Sequence, residues 1–400
     1  MRHRCDWQPV FVDGVPVVAD EVVDVDVAVV GAGQAGLAAG YYLRRAGLEP
    51  GRGFVVLDAG DVPGGAWRHT WDSLRLLSPS EYSSLPGKPM PAWPDDDGFP
   101  PASHVAEYLT AFEERHDLRV VRPVRVGAVH REGPAPTSPL LVVTDGGTWR
   151  ARVVISATGT WQRPFVPAYP GMGDFGGRQL HVTGYRRPEE LIGQRVVVVG
   201  GGNSAAQVLA EVSAVAETTW VTARTPRFLP DDVDGRVLFA GAPDAGGVAG
   251  LGDIVMVPPV VLARERGALV PHPPFARLTR TGVTWPYGRH QPADAVLWCT
   301  GFRPALGHLA PLRLRGRDGQ VPTDGTRAVC DPRVHLLGYG DWTGPASATL
   351  VGVGATACRA VEQITDYLEQ TAGHRRAAGR RPSWTRWFQK ETDQAGRRPR

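Results

Sequence analysis

Cysteine is scarce in this chain of 400 residues, with Cys5, Cys299, Cys330 and Cys358 alone. No two of them have Cys-x-x-Cys or zinc-finger spacing, so neither a dithiol pair nor a metal site is predicted. No run of 18 uncharged apolar residues occurs, and we expect no transmembrane helix. The N-terminus also lacks the continuous apolar stretch of a signal peptide. A reducing, cytoplasmic location is therefore expected.

The composition is that of a globular protein with many turns: 42% hydrophobic, 21% charged, 49 Gly and 36 Pro. The net charge of +3 is uneven, because residues 371–400 hold nine Lys or Arg and only two Asp or Glu. Such a tail could bind nucleic acid or a membrane surface. We favour a frayed terminus or a segment docked on its own protein, so neither partner is expected. A homodimer stays open as an alternative.

A glycine-rich loop follows the first β-branched run, DVDVAVV at residues 24–30. The order strand, G-x-G-x-x-G, helix, strand and acid predicts a dinucleotide site. Gly31 would permit the tight turn, Gly33 the approach of a pyrophosphate, and Gly36 close packing of helix on strand. Asp58, 22 residues after Gly36, can accept hydrogen bonds from ribose hydroxyls. The residues predicted to bind this dinucleotide are Gly31, Gly33, Gln34, Ala35, Gly36 and Asp58.

A second loop, GGGNSA at residues 200–205, follows the buried run RVVVV. No carboxylate ends the next strand, where Arg224 stands instead, and an arginine accommodates a 2′-phosphate. The pattern predicts FAD at the first loop and NADPH, in preference to NADH, at the second. A solvated surface arginine is the alternative for Arg224. The residues predicted to bind NADPH are Gly200, Gly202, Asn203, Ser204, Ala205 and Arg224.

Three short segments are predicted to complete the flavin site. Gly65 and Trp67 place a flexible turn beside a large ring, and Gly159 ends a buried strand. Gly340 and Asp341 end the last strand, where the carboxylate could hold ribityl hydroxyls. The helix that follows would stabilise negative charge on the reduced flavin through its N-terminus. Helix capping or loop closure is the alternative for Asp341.

Two stretches repeat one pattern of strand, Thr-Gly and Pro: residues 153–167 and 295–304. They indicate that the chain crosses twice between domains. The predicted fold class is α/β, with two doubly wound, Rossmann-like dinucleotide-binding domains. The predicted segments are 1–165 and 295–370 for a discontinuous FAD domain, 166–294 for the inserted NADPH domain, and 371–400 for a basic tail.

A fingerprint of Phe, Gly, His and Tyr, F-x-G-x-x-x-H-x-x-x-Y, begins at Phe175. With GAGQAG, GGGNSA, ATGTWQRP and CTGFRP in order, residues 24–365 resemble the class B flavin-containing monooxygenases. WDSLRLLSPSEYSSLPG at 71–87 looks like the bacterial, ArsO-type branch found in arsenic-resistance operons. The resemblance implies an enzyme that binds FAD and NADPH. It also implies a flavin C4a-hydroperoxide that gives one oxygen atom to sulfur, nitrogen or trivalent arsenic.

The resemblance makes Asn203, His181 and Tyr185 the catalytic candidates. His181 and Tyr185 are four residues apart and could share one side of a short helix. A packed interdomain hinge is the interpretation that we favour for both. Because no cysteine pair is predicted beside the flavin, O₂ is the expected acceptor, with a small molecule as substrate. An NADPH oxidase or reductase without substrate oxygenation, and a non-catalytic flavin redox sensor, are the alternatives.

Overall fold

Two β-sheets with parallel strands at their centres form the framework of the chain. The structure, a computed structural model, describes residues 11–12, 15–16, 22–94, 98–233, 253–317 and 319–373. A short hairpin of β1 (Phe11–Val12) and β2 (Val15–Pro16) comes first. Cys5 and residues 374–400 of the predicted basic tail lie outside the described residues.

The first sheet is built mostly from the first 156 residues. β3 pairs in parallel with β4 on one side and with β7 on the other. Antiparallel β6 and β5 extend the sheet beyond the first half of β7. The elements in chain order are β3 (Val22–Val30), α1 (Gln34–Arg45), β4 (Phe54–Leu57), α2 (Ala102–Arg115), β5 (Val126–Arg131), β6 (Leu140–Thr144) and β7 (Gly147–Ser156).

The second sheet has five parallel strands in the order β11-β10-β9-β15-β8. A separate antiparallel sheet of β12, β13 and β14 lies beside it. The elements are β8 (Arg178–His181), β9 (Arg195–Val199), α3 (Asn203–Val212), β10 (Glu217–Val221), α4 (Pro258–Glu265), β11 (Pro271–His272), β12 (Arg277–Thr279), β13 (Gly282–Thr284), β14 (His290–Pro292) and β15 (Ala295–Trp298).

The last part of the chain returns to the first sheet. β18 pairs in parallel with the carboxyl half of β7, and β17 and β16 follow at the edge. The long helix α5 then packs against α1. The elements are β16 (Thr323–Asp324), β17 (Arg327–Ala328), β18 (Val334–Leu336) and α5 (Leu350–Gly373).

Each sheet is covered on both faces, which explains its continuous apolar strands. In the first unit, α1, α2 and α5 cover one face through residues such as Val27 and Val29. The other face, with Ala28 and Val30, packs against β5, β6 and residues 306–314. In the second unit, α3 and α4 cover one face and the β12–β14 sheet covers the other. The predicted α/β fold class is confirmed, with parallel sheets of the Rossmann type.

The predicted boundary at residues 294 and 295 is wrong. β15 begins at Ala295 and lies between β9 and β8, so it belongs to the second sheet. The first sheet resumes only after the Thr300-Gly301 turn. A buried strand has the same apolar sequence pattern in either sheet. The pattern therefore does not show which strands it pairs with.

Among the helices that the structure describes, none combines the length and the apolar character that a membrane span requires.

Candidate functional site

A cavity of about 570 Å³ opens at the carboxyl ends of β3, β4 and β7. Parallel sheets of this kind bind ligands at that edge, because the loops there diverge around a crevice. Nine of the residues predicted to bind the flavin line this cavity: Gly31, Gly33, Gln34, Ala35, Asp58, Gly65, Trp67, Gly159 and Gly340. Gly36 and Asp341 are not among its lining residues.

The three glycines of the first loop have different surroundings. A Cβ on Gly31 would lie 2.6 Å from the carbonyl oxygen of Ala157, and its φ of +102° is also unfavourable for other residues. A Cβ on Gly36 would lie 1.8 Å from the carbonyl oxygen of Gly31, so this glycine allows α1 to begin against β3. A Cβ on Gly33 would meet nothing within 4 Å, because Gly33 faces the cavity.

Asp58 lies at the cavity wall, and only one of its two carboxylate oxygens accepts a hydrogen bond from a described residue. Its Oδ1 accepts a hydrogen bond from the backbone N–H of Gly60 at 3.3 Å. Its Oδ2 is buried and accepts no hydrogen bond from a described residue, although Nη2 of Arg122 lies 3.6 Å away. Arg122 is held by both carboxylate oxygens of Glu113, at 2.5 and 2.8 Å. A buried acceptor without a donor calls for a ligand hydroxyl or water.

Gln34, the first residue of α1, joins three loops at the cavity mouth. Its Oε1 accepts a hydrogen bond from the Trp67 indole N–H at 3.1 Å. Its Nε2 donates to the carbonyl oxygen of Ala348 at 2.7 Å, just before α5 begins. The side chain thereby fixes the Trp67 ring and the start of α5 relative to the first N–H groups of α1. Those N–H groups have no hydrogen-bond acceptor within the helix and can donate to phosphate oxygens.

Asp341 closes its own loop. Its Oδ1 accepts a hydrogen bond from the backbone N–H of Ala346 at 3.2 Å, and the residue is exposed. The neighbouring Gly340 has a φ of +82° and lines the cavity. The structure therefore shows Asp341 in the loop-closure role that the sequence left as its alternative.

The second glycine loop repeats the geometry of the first. Gly200 has a φ of +143°, and a Cβ there would lie 2.2 Å from the carbonyl oxygen of Cys299. Gly202 has open space and precedes α3, while Ala205 is fully buried and Ser204 half-buried. The loop thus joins β9 to α3 as the sequence predicts.

Asn203 within this second loop and Arg224 after β10 are the other two residues predicted for this site. Asn203 is engaged by backbone: its Nδ2 donates to the carbonyl oxygen of Asp253 at 2.9 Å, and its Oδ1 accepts from Val255 N–H at 2.8 Å. The side chain therefore fixes residues 253–255 against the start of α3. Arg224 follows β10 and is exposed, and within the described residues its guanidinium makes no hydrogen bond or ion pair.

His181 and Tyr185 do not share a helix side, so that expectation is wrong. His181 ends β8, and a single 3₁₀ turn separates it from Tyr185. His181 Nε2 lies 3.1 Å from the carbonyl oxygen of Gly301, and its ring packs edge-on against Phe302. Tyr185 is fully buried, and its hydroxyl donates to Glu211 at 2.6 Å. Strand pairing overrides the helical spacing, since β8 must extend to meet β15.

Burial sets the titration of both side chains. Desolvation lowers the pKa of His181, and the contact with Gly301 partly opposes this. Burial beside the Glu211 carboxylate holds the pKa of the Tyr185 hydroxyl well above its usual range. Neither residue is among those that line the described cavity. Among the described residues, no group of three His, Cys, Asp or Glu side chains could hold a metal ion.

Comparison with known proteins places this geometry in a family. A family profile described as pyridine nucleotide-disulphide oxidoreductase matches residues 28–236. A solved structure of a flavin-containing monooxygenase from Stenotrophomonas maltophilia is 51% identical. That match covers 86% of this chain and 99% of the other chain, with a TM-score of 0.79. The chain belongs to the flavin monooxygenase family.

Two curated relatives match over a shorter length. An "Uncharacterized oxidoreductase CzcO-like" from Geobacillus kaustophilus is 33% identical over 215 residues, which is 54% of this chain and 59% of the relative. A Baeyer-Villiger monooxygenase from Streptomyces coelicolor is 34% identical over 214 residues, 52% of this chain and 40% of the relative. The match to these relatives thus spans less than two thirds of their length. Membership of the flavin monooxygenases makes the chain an oxidoreductase.

The flavin monooxygenase chain has a buried polar network in its cavity wall that sequence reasoning missed. The Tyr339 hydroxyl lies 2.8 Å from both Ser156 Oγ and Thr158 Oγ1, and His308 Nε2 lies 3.1 Å from Ser156 Oγ. Thr158 Oγ1 donates onward to the carbonyl oxygen of Ala305. Burial lowers the pKa of His308 to about 4, so the ring is neutral near pH 7. The network links three segments that are far apart in the chain.

Proposed function

We propose that this chain is an FAD-dependent, NADPH-consuming monooxygenase that transfers oxygen to a soft nucleophile. The observation that carries the proposal is the 570 Å³ cavity at the first glycine loop, with the unsatisfied Oδ2 of Asp58 in its wall. A second loop of the same construction, followed by an arginine in place of an acid, supports a second and different dinucleotide. We assign the first sheet unit to FAD and the second to NADPH.

The first site fits the parts of FAD. The open face of Gly33 and the free N–H groups of α1 suit a pyrophosphate. The Asp58 Oδ2 suits a ribose hydroxyl, which would supply the missing donor. Trp67, fixed by Gln34, supports one side of the cavity, and the N-terminus of α5 can stabilise negative charge on the flavin ring. When bound, FAD accepts electrons from NADPH and activates O₂.

The second site fits NADPH better than NADH. The open face at Gly202 and the N-terminus of α3 suit a pyrophosphate. The exposed guanidinium of Arg224 is available to a 2′-phosphate, which it can bind through two charge-assisted hydrogen bonds. Asn203 holds residues 253–255 beside this site, so we propose that it positions the loop.

Oxygen is the favoured electron acceptor. A disulfide reductase needs two cysteines beside the flavin, and no cysteine lines the described cavity. Cys299 is buried, Cys330 is exposed and Cys358 lies on α5, so the described thiols do not form one trivalent-arsenic site either. Sulfur, nitrogen and trivalent arsenic remain candidate nucleophiles, the last through resemblance to the arsenic-resistance branch. The scarcity of cysteine favours action in the cytoplasm.

The test follows NADPH consumption by the purified, FAD-loaded protein with thioethers, tertiary amines and trivalent arsenicals. Product mass and hydrogen peroxide are measured in the same samples under ¹⁸O₂. We expect at least one substrate class to gain ¹⁸O. The number of oxygen atoms incorporated should equal the NADPH consumed minus the hydrogen peroxide formed. Recovery of all the electrons as peroxide with every class would instead show an NADPH oxidase. Protein that takes up no flavin would overturn the assignment of the first site.

A further inference from the structure

One connection in the chain belongs to both hydrophobic cores. Its described residues, 70–94 and 98–101, lie between the turn after β4 and the start of α2. Leu76 and Leu85 of this connection pack in the core of the first unit. Trp71 and Phe99 pack in the core of the second unit, beside Tyr185 and α3. The connection therefore packs in the interiors of both sheet units.

The helix that begins at the second glycine loop meets this connection through one face. Glu211 lies near the end of α3, and one of its carboxylate oxygens accepts a hydrogen bond from the Ser73 hydroxyl. Gln207 lies one turn earlier on α3, and its Nε2 donates to the carbonyl oxygen of Arg75 at 3.5 Å. Residues four apart share a helix face, so α3 aligns these groups with the connection.

The other Glu211 oxygen is taken by the fingerprint tyrosine. The fully buried Tyr185 donates its hydroxyl proton to Glu211 Oε1 at 2.6 Å. The next residue, Arg186, donates from Nη1 to the carbonyl oxygens of His69 and Thr70. Its own carbonyl oxygen accepts from the N–H of Asp72 at 3.0 Å. Residues 185–186 and 69–73 are thus fastened to each other on both sides of Glu211.

This set of contacts runs from one site to the other. His69 lines the cavity at the first glycine loop, and α3 starts at the second. Glu211 forms no ion pair with a described residue, and Ser73 and Tyr185 are its hydrogen-bond donors. Burial raises the pKa of its carboxyl, and Glu189 and Asp72 add to that rise. Burial already destabilises the charged form of this carboxyl, so removal of its two hydrogen-bond donors would leave a buried acceptor unsatisfied and destabilise the contact further.

We propose that Glu211 is a positioning residue that, through Ser73 and Tyr185, fixes the angle between the two units and so aligns the electron donor with the flavin. The proposal rests on the proposed function for its kinetic consequence, but not for its structural one. A shift of about 1 Å in a reacting pair can cost on the order of a hundredfold in rate. Loss of Glu211 therefore acts on electron transfer more than on the binding of either dinucleotide.

The experiment compares Glu211→Ala, Glu211→Gln and Tyr185→Phe with Glu265→Ala, an exposed control on α4 of the same unit. Flavin content is measured first. Anaerobic reduction of the bound flavin is then followed with NADPH and, separately, with dithionite, which needs no second site. Hydrogen exchange of residues 69–75 and 185–187 is measured on the same FAD-loaded samples. Tyr185→Phe keeps the buried ring and serves if the alanine variant does not fold.

We expect Glu211→Ala to keep its flavin and its NADPH KM within about threefold but to be reduced by NADPH at least tenfold more slowly. Dithionite reduction should be unchanged, and hydrogen exchange should rise in both segments. Glu211→Gln should recover most of the rate, because its amide can still contact both partners. Wild-type reduction rates and exchange in both Glu211→Ala and Tyr185→Phe would overturn the proposal. If NADPH fails to reduce the wild type, the proposed function fails, while the exchange comparison still decides the role of Glu211.

Discussion

Nη2 of Arg122 lies 3.6 Å from Oδ2 of Asp58, close enough for charge attraction and too far for a hydrogen bond. The guanidinium is committed instead to Glu113, which holds it in a bidentate contact. Oδ2 of Asp58 therefore remains an open hydrogen-bond acceptor at the cavity wall. The role that we propose for this carboxylate, as an acceptor of hydrogen bonds from ribose hydroxyls, depends on that open position.

Asp58→Asn tests that role directly. The amide keeps the shape of the side chain but removes the charge, so a charge-assisted hydrogen bond to the ribose is lost. Such bonds contribute about 1.5–3 kcal/mol, which corresponds to roughly a ten- to hundredfold weaker Kd for FAD. Quenching of FAD fluorescence on titration with apoprotein measures this. Asp61→Asn, at an exposed position three residues on, is the control. Equal affinities for the two variants would exclude the role.

A pair of glycine substitutions should separate folding from binding. Gly36→Ala places a Cβ 1.8 Å from the Gly31 carbonyl oxygen, so α1 must move and the Tm of the apoprotein should fall by several degrees. Gly33→Ala meets nothing within 4 Å, so its apoprotein Tm should stay within about one degree. Its methyl group faces the cavity and should weaken FAD binding about tenfold. Thermal unfolding and FAD titration of both variants check this, and a reversed order would contradict it.

Arg224→Ala should change nucleotide preference. Its exposed guanidinium has no described partner to lose, so the variant should fold normally. We expect KM for NADPH to rise tenfold or more and KM for NADH to change less than twofold, since only NADPH carries the 2′-phosphate. Steady-state kinetics with both nucleotides measure the difference. Arg52→Ala, an exposed change on the first unit, is the control. An equal effect on both nucleotides would leave Arg224 as a surface residue.

Two buried histidines should make the protein less stable in acid. Burial lowers the pKa of His335 to about 3 and that of His308 to about 4, both below the unfolded value of 6.5. Between those values the unfolded chain binds protons that the folded chain does not. Stability is therefore full above pH 6.5 and falls as the pH drops toward 4. One histidine contributes a slope of up to about 1.4 kcal/mol per pH unit.

Urea unfolding between pH 7 and pH 4.5 measures this slope. His335→Gln removes one of the titrating groups, so its free energy of unfolding should depend less on pH than that of the wild type. His290→Gln, the same change at an exposed position, is the matched control. Parallel curves for wild type and His335→Gln would show that the buried ring does not control acid stability.

Sequence reasoning predicted the parts of the fold whose cause is local. Gly31 and Gly36 are required by backbone contacts within a single strand–loop–helix unit, and both were placed by spacing alone. The prediction that β15 belongs to the first sheet was wrong, because the sequence of a buried apolar strand does not indicate its pairing partners. The prediction that His181 and Tyr185 share one side of a helix was wrong, because pairing with β15 keeps β8 extended as far as His181.

The missed parts of the site come from segments far apart in the chain. Ser156, His308 and Tyr339 meet only after β7, the 307–312 turn and β18 have assembled. Arg122 likewise approaches Asp58 from the loop after α2, where Glu113 of α2 holds its guanidinium. No spacing rule connects such residues, because their contact is created by tertiary packing. Predicting which residues line the cavity would require the order of the strands in the sheet to be known first.

The return of the chain to the first sheet has a consequence for biosynthesis. Residues 338–340 and 348 complete the cavity wall, yet they follow the whole second sheet in translation order. The strands of that second sheet lie within residues 178–298, so the whole sheet precedes β18 and α5 in the chain. The wall of this cavity is therefore incomplete until residues 338–348 have been synthesised.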